Sequence, residues 1–221
     1  MNPATADTTE PRAPKLRINS VRSKEARGNN DYFTPLEAVI PLLHVEDLPH
    51  YIWEPACGDG AIVLPLRAAG HDVIASDIVD YGLPGTILQD YLKAEPDWFV
   101  EGVVTNPPYD KLALEFAKKA LTEVKYVALL LRLNWLETPK RKKFFGESGL
   151  SRVWVMSRRL PMMHKLGYEG KKSTSNCCYA WYVWDHRKVS AQGADPLVKF
   201  IDWQDWFPKP EKRARKARAV L

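Results

Sequence analysis

The chain has 221 residues, 45% of them hydrophobic, 11% aromatic, with a formal net charge of +5. This is enough for one domain with a substantial core. No apolar run approaches the roughly 20 residues of a membrane helix, and the first residues lack the apolar segment of a secretory signal. Three cysteines, two of them adjacent, fit neither a disulfide framework nor a zinc site. We therefore expect a cytoplasmic protein with no membrane partner and no metal.

The positive charge is unevenly distributed along the chain. Residues 1–30 carry six Lys/Arg against three acidic residues, and residues 208–221 carry six against one. Residues 138–172 carry ten Lys/Arg against two acidic residues. These basic segments predict contact with a polyanion, and a solvated helix face with a charged tail is the plainer alternative. We predict a mobile basic arm at 1–28, one domain at 29–207 and a basic tail at 208–221.

Beyond the arm, the hydrophobic pattern alternates between strands and helices. The first predicted helix, 35–44, has Pro35 in its first position and Thr34 as its cap. The other predicted helices are 61–69, 112–122, 139–145 and 196–206, and the predicted strands are 51–53, 72–76, 86–88, 102–105, 126–132, 152–157 and 178–184. This alternation favours a single α/β domain with a mainly parallel seven-strand sheet and helices on both faces. The last strand is interpreted as antiparallel, closing the sheet.

A glycine-rich turn follows the first predicted strand. It runs Glu54-Pro55-Ala56-Cys57-Gly58-Asp59-Gly60, and its glycines permit a tight turn and a close approach to a ligand. No Lys follows, so this is no phosphate loop, and its two carboxylates suit a cation or an amine. Asp77 ends the second strand about 20 residues after Gly58, the spacing at which a carboxylate meets ribose hydroxyls. Gln89-Asp90-Tyr91 then offers a carboxylate to an adenine amino group.

Asn106-Pro107-Pro108-Tyr109 follows the fourth predicted strand. Two successive prolines lack N–H groups and hold the backbone extended, so their carbonyls stay free to accept hydrogen bonds. The Asn106 side chain adds an acceptor, and the Tyr109 ring adds a flat face. Together they suit a planar nitrogen that bears hydrogens, such as a nucleobase amino group or a carboxamide. Because the carboxyl ends of parallel strands share one edge, we expect these stretches to form one site.

In these motifs the chain resembles the class I S-adenosylmethionine-dependent methyltransferases, and within them the amino-methyltransferases that modify adenine N6 in DNA. The resemblance runs from Asp31-Tyr32-Phe33-Thr34-Pro35 (motif X) through residues 54–60 (motif I), Asp77-Ile78 (motif II), Asp90 (motif III) and residues 106–109 (motif IV). Motif X ahead of motif I is similar to the gamma-type order. Motif I departs from the family pattern, which commonly has Asp and Thr where this chain has Glu54 and Asp59. For the family's target-recognition domain we expect loop 161–177 and the basic tails as substitutes.

The resemblance implies a Rossmann-like sheet and S-adenosylmethionine as the cofactor. It implies that residues 32–34 and 57–60 line the methionine part, that Asp77 binds the ribose, and that Ile78 and Asp90 hold the adenine. The candidate cofactor-binding residues are Tyr32, Phe33, Thr34, Glu54, Pro55, Cys57, Gly58, Asp59, Gly60, Asp77, Ile78, Asp90, Tyr91 and Asn106. The candidate catalytic residues are Asn106, Pro107, Pro108 and Tyr109.

The expected chemistry follows from the weakness of an exocyclic amino nitrogen as a nucleophile. If the Asn106 side-chain oxygen and the Pro107 carbonyl accept hydrogen bonds from the two N–H groups of this nitrogen, its lone pair localises toward the sulfonium methyl. Direct in-line transfer then depends on positioning and electrostatics. Tyr109 would stack on the target base, which must be flipped out of a duplex. Cys57 lies in the cofactor turn, which disfavours the covalent mechanism of cytosine-C5 enzymes.

The choice of target rests on motif IV and on charge. Similar tetrapeptides occur in relatives that methylate RNA adenine or a protein glutamine amide, while cytosine-N4 enzymes usually begin theirs with Ser. Asn106 therefore favours adenine, and the basic residues favour nucleic acid. The candidate nucleic-acid-binding residues are Lys140, Arg141, Lys142, Lys143, Arg158, Arg159, Lys165, Lys171 and Lys172. We predict a DNA adenine-N6 methyltransferase. The alternatives are an RNA-adenine or protein-glutamine methyltransferase, or a nucleic-acid-binding protein of this fold without activity.

Overall fold

The computed structural model describes residues 33–95, 99–109, 111–161, 175–188 and 195–207. In chain order its elements are α1 (Leu36–Val45), β1 (Tyr51–Glu54), α2 (Val63–Ala68), β2 (Asp72–Asp77), β3 (Ile87–Leu88), β4 (Gly102–Thr105), α3 (Lys111–Glu123), β5 (Tyr126–Arg132), α4 (Pro139–Ser148), β6 (Arg152–Met156), β7 (Tyr179–Asp185) and β8 (Leu197–Ile201), with 3-10 turns at Leu133–Leu136 and Trp203–Asp205. The predicted arm at 1–28 and tail at 208–221 lie outside the described residues. No helix in the described part of the chain is long and apolar enough to cross a membrane.

The strands form one sheet in the order β3-β2-β1-β4-β5-β7-β6-β8. All neighbouring pairs are parallel except those of β7, which runs antiparallel to both β5 and β6. The predicted α/β architecture is confirmed. The antiparallel direction of the aromatic strand is confirmed too, but that strand lies inside the sheet rather than at its edge.

The direction of strand progression reverses between β1 and β4. The chain passes from β1 through α2 to β2 on one side, and from β4 through α3 to β5 on the other. Because such crossovers are right-handed, the two helices cover opposite faces of the sheet. The adjacent carboxyl ends of β1 and β4 therefore form a topological switch point, where open α/β sheets bind their ligands.

The middle strands are mostly apolar because both faces of the sheet are covered. Every residue of β4 and β7 is buried. The largest fully buried side chains include Trp53, Trp181 and Trp184, and each donates its indole N–H to a protein oxygen at 2.8–2.9 Å. These three large rings thus fill the core with their indole N–H groups satisfied.

A buried ion pair attaches α1 to the far side of the sheet. Glu46, just after α1, accepts two hydrogen bonds from the Arg152 guanidinium, both at 2.7 Å. The Trp154 indole donates to the same carboxylate at 2.6 Å and the Tyr126 hydroxyl at 3.1 Å. These contacts fix the helix that follows Phe33 and Thr34, and so help to position those residues at the edge of the sheet.

The helix predicted over residues 196–206 is wrong. Leu197–Ile201 forms β8 instead, because a parallel partner strand is available in β6. The Leu197 N–H donates to the Ser151 carbonyl, and the Ser157 N–H donates to the Ile201 carbonyl. Long-range pairing thus overrides local helix preference. The sheet consequently has eight strands rather than the seven expected. The other predicted elements are confirmed, with their ends shifted by three residues at most.

The predicted cap of the first helix is also wrong. The helix begins at Leu36 with Pro35 in the N-cap position, and no side chain in the described part of the chain caps it. Proline cannot continue the helix upstream, and its fixed φ suits the extended residue before the first turn. The Thr34 hydroxyl is therefore available for another contact, which it makes within the candidate site.

Candidate functional site

A cavity of about 470 Å³ opens at the carboxyl ends of β1, β2 and β4. This volume is typical of small-molecule sites, which run from roughly 300 to 1,000 Å³. All four predicted catalytic residues line it, and so do the described members of the predicted cofactor set except Glu54 and Gly60. Tyr32 lies outside the described residues. The structure thus brings motifs that are far apart in the sequence around one cavity.

The glycine-rich turn is held to the end of β2 by Asp77. One oxygen of its carboxylate accepts from the Gly58 N–H at 2.9 Å, and the other accepts from the Val79 N–H at 3.0 Å. The Cys57 N–H donates to the Ser76 carbonyl at 3.0 Å. Gly58 has a φ of +52°, the left-handed region that glycine enters without strain. Asp77 therefore shapes the turn as well as lining the cavity.

Glu54 lies beneath the turn rather than in the cavity wall, which differs from its predicted place among the ligand-contacting residues. It is fully buried. One oxygen accepts from the Ala56 N–H at 3.1 Å and from the Thr105 hydroxyl at 2.5 Å, while the other has no hydrogen-bond partner among the described residues. Burial raises the pKa of this carboxyl to about 8, and the nearby charge of Asp77 adds to the rise. Glu54 thus joins the turn to β4 as a largely protonated acid at neutral pH.

The raised pKa of Glu54 predicts a dependence of stability on pH. Between its ordinary value of 4.5 and about 8, the folded state holds a proton that the unfolded chain releases. The contribution of Glu54 to the free energy of unfolding is therefore greatest below pH 4.5 and declines as the pH rises to about 8. We expect Glu54→Gln, which is neutral at every pH, to gain in free energy of unfolding relative to the wild type over this interval. Urea unfolding across the interval measures it, with the exposed Glu115→Gln as the control. Parallel curves for Glu54→Gln and the wild type would contradict the assignment.

Cys57 has a thiol that is nearly excluded from water. Its Sγ lies 3.6 Å from the Thr86 hydroxyl, and burial raises the pKa of the thiol to about 12. The thiol is therefore protonated at neutral pH, whereas a cysteine nucleophile must be a thiolate. The chemistry of this residue agrees with its exclusion, from the sequence, as a covalent catalyst.

Gly60 supports the turn by leaving room for a neighbour. Its φ is +91°, and a Cβ at this position would lie 2.7 Å from a methyl carbon of Leu83. We expect Gly60→Ala to lower the free energy of unfolding by about 2–4 kcal/mol through left-handed strain and overpacking. Gly70→Ala is the matched control, since Gly70 has a φ of +92° with open space around it. Chemical denaturation measures both, and equal losses would contradict the steric explanation.

At the corner of the cavity, the side chain of Asn106 is held at both ends. Its Nδ2 donates to the Thr34 hydroxyl oxygen at 3.0 Å, and its Oδ1 accepts from the Tyr109 hydroxyl at 2.9 Å. The Thr34 hydroxyl therefore orients the Asn106 side chain and does not cap α1. The two bonds fix which end of the amide presents oxygen. Asn106 lines the cavity with its amide held in this orientation.

The Tyr109 ring is mostly covered, with 6% of the residue exposed. The guanidinium carbon of Arg132 lies 5.1 Å from its centroid, and the Tyr179 ring lies 6.0 Å away. Burial raises the pKa of the phenol well above its usual value, so the hydroxyl remains a donor to Asn106. The Arg132 guanidinium thus covers part of the Tyr109 ring.

The opposite part of the cavity combines apolar and acidic groups. Ile78 is 71% exposed and presents an apolar side chain just after β2. Asp90 accepts from the Leu92 N–H at 3.1 Å and pairs with Lys93 at 3.0 Å, and Lys93 lowers the pKa of the carboxyl. The Tyr91 hydroxyl donates away from the cavity, to Glu123 at 2.9 Å, so only its ring forms the wall. This end suits a flat ring that carries hydrogen-bond donors.

Several residues of the cavity wall were not predicted from the sequence. They are mostly apolar and include Tyr81 after β2 and Leu112 and Phe116 on α3. Leu112 is 46% exposed in the first turn of the helix that follows the Asn106 tetrapeptide. An apolar residue at such a helix start is a sequence signal that could have identified it. The other two read as ordinary packing residues.

The described basic residues follow the carboxyl ends of β5 and β6, and thus lie at the same edge of the sheet as Asn106. Helix α4 has no buried residue, and Lys140, Lys142 and Lys143 are exposed on it. Arg141 lies over the Trp135 ring at 5.4 Å. Lys165, Lys171 and Lys172 lie outside the described residues.

The two arginines after β6 already have protein partners. Arg158 makes a bidentate contact with Asp202 at 3.0 and 2.7 Å, which raises the pKa of the guanidinium and offsets its charge. Arg159 donates to the Ser175 carbonyl at 3.3 Å. The lysines of α4 are therefore better placed than Arg158 to meet an external anion. The residues that the structure describes contain no cluster of three or more His, Cys, Asp or Glu able to hold a metal ion.

Comparisons with known proteins identify the fold. No protein-family model matches the sequence, and no curated protein matches it. The methyltransferase subunit of a type I restriction-modification system from Streptococcus thermophilus superposes with a TM-score of 0.55 at 14% identity, over 78% of this chain and 47% of that chain. A modification subunit assigned to a type I restriction enzyme of Vibrio vulnificus YJ016 superposes with a TM-score of 0.52 at 12% identity, over 80% of this chain and 48% of that chain.

A protein of Listeria monocytogenes assigned to the class I S-adenosylmethionine-dependent methyltransferases gives a TM-score of 0.50 at 15% identity, over 72% of this chain and 61% of that chain. The chain therefore spans between about half and three fifths of the length of these three structures. Their likeness establishes that the chain has the class I methyltransferase fold.

Proposed function

We propose that the protein transfers a methyl group from S-adenosylmethionine to the N6 amino group of adenine in DNA. The observation that carries the proposal is that the Asn106 tetrapeptide and the turn held by Asp77 line the same cavity. A site for an amino nitrogen thus adjoins a site for a nucleoside. The Streptococcus and Vibrio proteins are subunits of type I restriction-modification enzymes, and this favours DNA as the target.

The cavity fits the cofactor in chemistry as well as in volume. S-adenosylmethionine supplies, when bound, an electrophilic methyl group on a positively charged sulfur. Carboxylates that line the cavity, among them Asp59, Asp77 and Asp90, suit its positive charge, ribose hydroxyls and adenine amino group. The exposed side chain of Ile78 suits the flat face of the adenine. Glu54 does not line the cavity, and we assign it the role of holding the glycine-rich turn in shape.

The chain's own groups would activate the target nitrogen. The Oδ1 of Asn106 and the carbonyl of Pro107 accept the two amino hydrogens and so localise the lone pair on the nitrogen. Thr34 and Tyr109 hold the amide in the orientation that this requires. Because these acceptors are fixed before the reaction, they stabilise the developing charge without a cost of reorganisation.

Contact with DNA through the basic edge predicts a strong dependence of binding on salt. Each phosphate neutralised contributes a slope of about 0.9 in the logarithm of affinity against the logarithm of salt concentration. We expect the double variant Lys140→Gln, Lys142→Gln to lower this slope by roughly 1–2. The matched control is Lys118→Gln, Lys125→Gln, since these exposed lysines belong to α3 and to the residue before β5, away from the basic edge. Equal slopes for the two double variants would count against the proposed DNA face.

The target class is tested by incubating the protein with methyl-labelled S-adenosylmethionine and, separately, DNA, RNA and protein. We expect label in DNA and its release as 6-methyladenine on hydrolysis. Label only in RNA, or only in glutamine, would transfer the function to one of those targets. A calorimetric titration with S-adenosylmethionine addresses the non-catalytic alternative, because a nucleic-acid-binding protein without activity need not bind it.

A further inference from the structure

Gln89 lines the cavity, although neither the sequence nor the resemblance gives its side chain a role. It directly follows β3, and its backbone N–H donates to the Asp77 carbonyl at 3.0 Å. Asp90 is the next residue in the chain, and all three residues line the cavity. Gln89 is thus tied by its backbone to the carboxylate proposed for the ribose and to the carboxylate proposed for the adenine amino group.

The side-chain amide of Gln89 contains a buried donor that the protein does not pair. Its Nε2 is buried and has no hydrogen-bond partner among the described residues. Buried side-chain atoms of Glu54 and Trp135 also lack a partner in the described part of the chain, but neither of these residues lines the cavity. Buried polar groups in proteins are normally paired. An unpaired amide nitrogen in the wall of a ligand cavity therefore indicates that the ligand supplies the acceptor.

The polar groups beside Gln89 leave one part of adenine without a partner. Asp77 and Asp90 line the cavity with carboxylates, which only accept hydrogen bonds when they are ionised. They suit the hydroxyls of a ribose and the amino group of an adenine. The ring nitrogens N1, N3 and N7 of adenine are acceptors, and an ionised carboxylate has no hydrogen to give them. The Gln89 amide has two N–H groups, so it supplies the kind of donor that these carboxylates lack.

We propose that Gln89 is a specificity-determining residue for the cofactor, and that its side-chain amide donates a hydrogen bond to a ring nitrogen of the adenine of S-adenosylmethionine. The terminal amide of a glutamine turns about a soft bond, so either end can face the ligand while the backbone bond to Asp77 stays in place. The proposal rests on the proposed function, because it takes S-adenosylmethionine as the ligand of the cavity. It adds a donor to the acceptors by which the site recognises adenine.

The test is a calorimetric cycle between Gln89 and single atoms of the ligand. The probes are S-adenosylhomocysteine, which is the product of methyl transfer, and its three analogues in which N1, N3 or N7 is replaced by a C–H group. We expect one analogue to bind the wild type roughly tenfold more weakly than S-adenosylhomocysteine, because the amide donor is left unpaired. Gln89→Leu should bind S-adenosylhomocysteine roughly tenfold more weakly than the wild type and lose little more with that analogue.

Three comparisons separate this role from a structural one. Gln89→Leu removes an unpaired buried donor, so without ligand it should unfold at a temperature no lower than the wild type. A residue that only supported the cavity wall would lose stability together with affinity. Gln89→Glu keeps the shape but loses the donor, so it should repeat the loss of affinity and the insensitivity to the analogue, also where Gln89→Leu fails to fold. Gln204→Leu is the matched control, since Gln204 lies in the 3-10 turn after β8 and does not line the cavity. It should bind every probe as the wild type does.

Equal losses for the wild type and Gln89→Leu with all three analogues, or no loss for the wild type with any of them, would overturn the assignment of Gln89. Such results from a protein that methylates DNA leave the proposed function intact. The reverse outcome, a coupled loss in a protein that does not methylate DNA, keeps the role of Gln89 and contradicts the proposed target. A wild-type protein that does not bind S-adenosylhomocysteine at all would overturn both.

Discussion

Replacing Asn106 with alanine is expected to lower the rate constant of methyl transfer roughly 100- to 1,000-fold, the usual effect of removing one preorganised catalytic hydrogen-bonding group. The variant loses the Oδ1 acceptor for the target amino group, and Tyr109 and Thr34 lose their shared partner. The affinity for S-adenosylmethionine should remain close to that of the wild type, because the turn and Asp77 are untouched. Single-turnover kinetics and calorimetry measure the two quantities separately.

Asn134→Ala is the matched control for this prediction. Asn134 is exposed in the 3-10 turn after β5 and does not line the cavity. We expect its transfer rate constant to equal that of the wild type. An Asn106→Ala variant that still transfers methyl groups at the wild-type rate would remove the proposed acceptor from the mechanism.

Replacing Asp77 with alanine is expected to weaken binding of S-adenosylmethionine by roughly 100-fold or more. The change removes the proposed contact to the ribose, and it also leaves the N–H groups of Gly58 and Val79 without their carboxylate acceptor. Both N–H groups then turn to water, and the glycine-rich turn loses the contacts that hold it to the end of β2. The effects combine because the same carboxylate shapes the turn and faces the ligand. Isothermal titration calorimetry measures the dissociation constant.

Asp80→Ala provides the comparison for Asp77→Ala. Asp80 also accepts from a backbone N–H two residues ahead, that of Gly82, at 2.8 Å, but it does not line the cavity. The loss of such a local turn should leave the affinity for the cofactor unchanged. If both variants bind the cofactor as the wild type does, Asp77 has no role in binding.

The sequence predicted the site best where a motif with a recognisable chemical role directly follows a predicted strand. Residues 54–60, Asp77, Asp90 and the Asn106 tetrapeptide could be assigned to one edge, because parallel strands bring their carboxyl ends together. The fold class followed from the alternation of elements. β8 was missed because five residues of mixed preference adopt a strand only when β6 supplies the hydrogen bonds.

The contacts within the site could not be predicted in the same way. Thr34 and Asn106 are 72 residues apart, and nothing local indicates that one orients the other. Glu54 reads as a carboxylate available to a ligand, yet burial under the turn makes it a largely neutral structural acid. In each case the role depends on which side chains fold against the residue, and this information is absent from a single sequence.

The most direct test is to incubate DNA with the protein and S-adenosylmethionine carrying a deuterated methyl group, and then to analyse the nucleosides by mass spectrometry. The proposed function predicts deuterated 6-methyldeoxyadenosine with the wild-type protein, and a yield reduced roughly 100-fold or more with Asn106→Ala. Deuterated methylcytosine in its place, equal yields from the two proteins, or no deuterated base in DNA from a protein that binds the cofactor would contradict it.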